Sequence, residues 1–163
     1  MAARPIVEYP ANVLLTPGEP VENFDSDLES LVKDMFDTMY AEGGVGLAAQ
    51  QIGLSLRLFV MDCDGLKLVA ANPEIIFAEG EQGGEEGCLS VGKVRAELKR
   101  PARAILQAQD LQGKSFEREA TGLTARCFQH ETDHCDGILF IRHLSPVRRD
   151  LVTSKFRKMK KST

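Results

Sequence analysis

Gln129-His130-Glu131-Thr132-Asp133-His134 holds two of the chain's three histidines in a His-Glu-x-x-His pattern. A helix with 3.6 residues per turn stacks His130 and His134 on one face, one turn apart. Imidazoles at that spacing can share a divalent cation, and Glu131 between them can reach a water held there. A catalytic metal of this kind usually takes three protein ligands and leaves one position open. The fold must therefore carry another residue to this helix face, and the first reading is a metal-dependent hydrolase.

At 163 residues the chain fits one domain, 1–163, and can bury a real core without crosslinks. Its 43% hydrophobic and 27% charged residues are ordinary for a soluble globular protein. No apolar run is of membrane-spanning length, and the start, Met1 to Glu8, lacks the apolar centre of a secretory signal. These features point to the cytoplasm, or to an organelle if a targeting segment has been removed. The four cysteines, Cys63, Cys88, Cys127 and Cys135, are expected as reduced thiols. Cys127 and Cys135 on one helix would lie ~12 Å apart, too far to bridge.

The net charge of −4 is uneven: from Val147 onward seven basic residues face one acid, Asp150. That segment carries +6 and the remainder −10. The plain reading of 147–163 is a solvated C-terminal helix or frayed tail. The sharper reading is a contact with a polyanion such as RNA.

Ser26-Asp27-Leu28-Glu29 has the form of a capping box and opens a helical stripe of Leu28, Leu31, Val32, Met35, Phe36 and Met39. This helix should stop near Gly43-Gly44. In Gly44 to Gly53, small residues let the backbone approach something closely. Strands are expected at Leu56–Asp62, Leu66–Ala71, Glu74–Ala78, Val94–Lys99, Arg103–Asp110 and Lys114–Glu119. Asp64-Gly65 should close a hairpin. A second helix is expected over Gly122–Cys135, stopped at Asp136-Gly137, and a third over Val147–Lys160. The order helix, strands, helix indicates a single α+β domain.

The third ligand is constrained by what the chain lacks. The extended zinc-protease pattern needs a histidine where Phe140 stands, and no glutamate follows Glu131 to serve as in thermolysin-like sites. His143 stays open as a ligand, beside its plainer reading as an exposed histidine. The best upstream candidate is Cys88 in Glu85-Glu86-Gly87-Cys88-Leu89-Ser90, because a thiolate is a strong ligand. Its alternative is a small buried hydrophobe.

Three stretches then coincide: Gly44-Val45-Gly46-Leu47-Ala48-Ala49-Gln50-Gln51, Glu86-Gly87-Cys88-Leu89-Ser90 and Gln129 to His134. In order and spacing they resemble the three signature motifs of peptide deformylases, and the likeness spans nearly the whole chain. The resemblance implies removal of the formyl group from N-formyl-methionyl nascent peptides. It implies an α+β fold with small antiparallel sheets packed around the helix that bears the histidines. Cys88, His130 and His134 would hold one divalent metal ion, Fe²⁺ in cells, with Zn²⁺, Ni²⁺ or Co²⁺ able to substitute. The donor set alone does not select iron. Glu131 would be the general base, and Gln51 with the backbone N–H of Leu89 the oxyanion donors. Val45, Leu123 and Cys127 would line the methionine pocket, Arg95 and Arg126 would stand beside it, and Gly46 and Gly87 would pair with the peptide backbone. Partners would be nascent chains and the ribosome, reached through the basic C-terminus, with no membrane and a monomeric state.

Alignment on Gly46 to Ala49 makes Gln51 the matching glutamine and leaves Gln50 structural or exposed. Gly92 stands where many members have proline, so a looser loop is expected after Cys88. Arg126 replaces an apolar residue of some members, and Cys135 a leucine, the latter read as a packing change. Two other readings compete: a metallopeptidase with a downstream third ligand, and a non-catalytic module that docks on ribosomal RNA.

Overall fold

The computed structural model describes residues 3–92 and 94–161; Met1, Ala2, Ser162 and Thr163, the ends of the two terminal segments read above, lie outside it, as does Lys93. Helix α1 spans Ser26–Ala41 and buries Leu28, Val32, Met35 and Met39 of the expected stripe, with Leu31 and Phe36 partly buried against the same cluster. Its cap is one residue earlier than the sequence suggests. Asp25 is extended and its carboxylate accepts the Leu28 N–H at 3.1 Å, while Ser26 is already helical.

Strands β1 (Gly46–Ala48), β2 (Leu58–Cys63), β3 (Leu66–Glu79), β6 (Arg103–Gln109) and β7 (Ser115–Thr121) form one antiparallel sheet in the order β1-β2-β3-β6-β7. The β2–β3 turn falls on Asp64 and Gly65, both with positive φ, as a two-residue hairpin requires. Where two strands were expected at Leu66–Ala71 and Glu74–Ala78, β3 runs through both, with register shifts after Ala71 and Ile75. Asn72 holds the first irregularity in place: at φ 52° its side chain bonds both the N–H and the C=O of Val21. A second sheet pairs β4 (Glu85–Gly87) with β5 (Arg95–Glu97), shorter than the expected Val94–Lys99.

Helix α2 covers Gly122–Cys135, the bounds that the sequence gives. It packs Ala125, Cys127, Phe128 and Cys135 out of solvent, with Phe128 and Cys135 in one core cluster with Phe59, Met61 and Leu106 of the sheet. Helix α3, Pro146–Lys161, is no frayed tail: Val152 and Phe156 are buried in a cluster that also holds Cys88 and Val91. Among the described residues no helix is long and apolar enough to cross a membrane.

Gly92 itself packs closely against α3. Its φ is +61°, which proline's ring, fixed near −65°, cannot adopt. An added Cβ would sit 2.6 Å from Phe156 Cδ1. Gly92→Ala is therefore expected to cost about 2–3 kcal/mol, from left-handed strain plus overpacking. Urea unfolding of the variant beside the parent checks this.

Candidate metal centre and cavity

Cys88 follows β4 directly and precedes a 3₁₀ turn, Leu89–Val91, while His130 and His134 project from successive turns of α2. The result is convergence: one ligand atom from each of the three lies within 4.8 Å of the others. Cys88 Sγ is 3.4 Å from His134 Nε2. His130 Nδ1 is 2.8 Å from Glu86 Oε1, an arrangement that assigns the N–H to Nδ1 and turns Nε2 toward the site. His143 is elsewhere, with Nε2 2.8 Å from Asp133 Oδ2, so the downstream ligand that a metallopeptidase would need is not supplied there.

A divalent cation fits these donors. One sulfur and two imidazoles suit a first-row transition metal with a fourth position open. The polar atoms left over agree: Glu131 Oε1 is buried beside the three donors without a hydrogen-bond partner, a costly state for a carboxylate unless something else faces it.

Glu131 is only 4% exposed, and its Oε2 stands 4.0 Å from His130 Nε2. Burial pushes its carboxyl up to about 7, in spite of the neighbouring His130 charge. Gly46 explains the close backbone approach anticipated for its stretch: a Cβ there would lie 2.5 Å from Glu131 Oε2. Gln51, also buried, is oriented by the Ala48 N–H, which donates to its Oε1 at 3.0 Å. Its amide nitrogen is thereby aimed at Cys88 Sγ (3.5 Å) and Ser90 Oγ (3.3 Å). Gln50 is fully buried rather than exposed, and donates to the carbonyls of Thr16 and Cys135.

Behind the site lies a buried ionic cluster. Glu86 receives Arg100 on both oxygens (2.7 and 2.9 Å), Arg126 Nη1 on Oε2 (2.7 Å) and His130 on Oε1. Arg100 also reaches Asp133 Oδ2 at 2.8 Å. Burial alone would raise the Glu86 pKa; the bonds from Arg100 and His130 outweigh it and hold the carboxyl well below the usual range.

A cavity of about 530 Å³ opens over the site. Gln51, Leu89, His130 and Glu131 line it together with Val45, Gly46, Gly87, Arg95, Leu123, Arg126 and Cys127. Val45 and Leu123 are about half exposed, while Cys127 is buried in the wall. A hydrogen bond with Cys63, and burial, keep the Cys127 thiol well above the ordinary range and so uncharged. Arg95 is exposed and bonds the Glu85 carbonyl. Arg126 borders the cavity, but its guanidinium is spent on Glu86 and the Leu98 carbonyl. Strands β1 and β4, each at the edge of its sheet, contribute Gly46 and Gly87 to the rim.

Residues 3–150 match the polypeptide deformylase family. The chain belongs to that family. It is 48% identical to a peptide deformylase of Acidobacterium capsulatum, over 99% of this chain and 98% of the relative. The crystal structure of a peptide deformylase from Legionella pneumophila superposes with a TM-score of 0.94 at 46% identity, covering 98% of this chain and 96% of the other. That of the Ehrlichia chaffeensis peptide deformylase in complex with actinonin gives 0.90 at 37% identity, with 98% of both chains covered. This deformylase is thus an enzyme that removes the N-formyl group from nascent peptides, and α+β is its fold.

Sequence reasoning missed Glu86, Arg100 and Asp133. Glu86 was within reach, because strand alternation puts it on the same side as Cys88, two residues on. Arg100 gave no such signal.

Glu131 makes a pH test available in the metal-free deformylase. Its pKa rises on folding from 4.5 to about 7, so the folded state holds this proton more tightly than the unfolded one. Its contribution is therefore most favourable below pH 4.5 and is lost as pH rises toward 7. Urea unfolding of chelator-treated protein should show Glu131→Gln gaining on the parent, on the order of 3 kcal/mol, between pH 5 and pH 8. An unchanged difference across that interval would contradict the burial argument.

Proposed function

We propose that this deformylase acts through one divalent cation held by Cys88, His130 and His134, Fe²⁺ in the cell, with Zn²⁺, Ni²⁺ or Co²⁺ able to replace it. The observation that carries the assignment is a buried, unpartnered Glu131 oxygen beside three converging donors. When bound, the cation would lower the pKa of water near neutrality and polarise the formyl oxygen.

The chain's own groups do the rest. Glu131, with a pKa near 7, can accept a proton from the attacking water at neutral pH and return it to the departing α-amine. Attack makes the formyl carbonyl oxygen an oxyanion, which the Gln51 amide and the Leu89 N–H stabilise. Because Ala48 already fixes the Gln51 amide, little reorganisation is needed at that moment. The methionine side chain enters between Val45, Leu123 and Cys127, with Arg95 and Arg126 beside it. The peptide backbone adds as a strand along the open edges at Gly46 and Gly87, which favours main-chain over side-chain recognition.

Formate release from formyl-Met-Ala-Ser tests this scheme. Glu131→Gln should lower kcat/KM by roughly 10²–10⁴, and Gln51→Ala by roughly 10²–10³. An acetylated analogue should be inert. Equal turnover of the two peptides, or an unimpaired Glu131→Gln, would remove the scheme.

The enzyme is further proposed to work as a cytoplasmic monomer beside the ribosome, where the nascent peptides it acts on emerge. The basic α3 exposes Lys155 and Arg157 while its Val152 and Phe156 are buried. Lys155→Glu with Arg157→Glu should weaken salt-sensitive co-sedimentation with ribosomes and leave tripeptide turnover unchanged. Undiminished binding would exclude α3 as the contact.

A further inference from the structure

Arg126 borders the cavity, but the reaction scheme gives its guanidinium no chemical step. It lies four residues before His130 and eight before His134, so the three form one stripe along α2. Its side chain is 6% exposed. One arm donates to Glu86 Oε2 at 2.7 Å and the other to the Leu98 carbonyl at 3.1 Å. The second Glu86 oxygen takes His130 Nδ1 at 2.8 Å. A single carboxylate thus straddles two consecutive turns of α2, one oxygen to each.

Glu86 also precedes Cys88 by two residues, so both side chains leave the backbone toward the same side. Whatever fixes Glu86 against α2 therefore fixes the sulfur against the imidazoles. His130 alone would leave the carboxylate free to pivot about one contact. Arg100 grips both oxygens, but from the segment after β5 rather than from α2. Arg126 supplies the second point on the helix itself, and its other arm ties the same helix to the backbone after β5.

We propose that Arg126 is a positioning residue that pre-organises the three metal ligands by clamping Glu86 across two turns of α2. It touches neither cation nor substrate carbonyl in this role. The inference rests on the metal site proposed above. Replacing Arg126 with leucine leaves Glu86 still paired with Arg100 and His130, so the carboxylate is not stranded and the chain should fold. What is lost is the second hold of α2 on Glu86, and outer partners of this kind typically change metal affinity by roughly 10–100-fold.

The test uses full-length protein loaded with Co²⁺ alone. Three quantities are followed for the parent, Arg126→Leu and Arg126→Lys: the visible cobalt spectrum, the rate of cobalt loss to EDTA, and the melting temperature without metal. Arg126→Leu should lose cobalt roughly 10–100-fold faster with altered visible bands. Arg126→Lys, which keeps the charge but not the two-armed reach, should fall between. Wild-type rate and spectrum in Arg126→Leu would overturn the proposal. So would faster loss with an unchanged spectrum and a metal-free melting temperature that falls in step, since that marks general loosening. If Arg126→Leu does not fold, Arg126→Lys decides by the same two readouts. Failure of the parent to bind cobalt with a thiolate-to-cobalt band would instead remove the metal site itself.

Discussion

The arrangement turns on one buried carboxylate. Glu86 meets Arg100, Arg126 and His130 where little water reaches, and Arg100 carries the connection on to Asp133. Taking such charges out of water costs about as much as their mutual attraction returns, so an apolar cluster of equal volume would stabilise the fold as well or better. Their value is geometric. Short, directional bonds from a strand of the small sheet to a helix packed on the large one leave few ways for Cys88 and the two histidines to sit.

Around that cluster, solvent is admitted unequally. Glu131, Gln51 and His130 line the cavity at its little-exposed part, where low polarity strengthens each dipole aimed at a developing charge. Val45 and Leu123 stand at a wetter mouth. The small residues of the first motif make this gradient feasible: with no side chain at Gly46, the β1 backbone comes up against the Glu131 carboxylate itself.

Much of this could be read along the chain, wherever the signal is local. The histidine spacing, Asp136-Gly137 and Asp64-Gly65 each act within a few residues, and α2 and the hairpin fall where they indicate. The cap of α1 was misplaced by one residue because Asp25 and Ser26 are both good caps, and only the backbone angle chooses. The continuity of β3 depended on Asn72 finding Val21, far away in sequence. The ionic cluster was least visible, since a charged residue in a sequence is read as surface until its partners are known. Arg100 and Glu86 come from separate segments, and nothing within either announces the other. The same distance hid the work of Gln50, whose partners are carbonyls at Thr16 and Cys135.

Phe156 of α3 fills the space over Gly92 and shares its apolar cluster with Cys88 and Val91. The cationic end of the molecule is therefore no detachable handle. Trimming it to ask what it grips would also strip the backing from the loop that presents the sulfur, and a dead stump would look like a lost docking site. Only changes confined to its wet side can separate anchorage from chemistry.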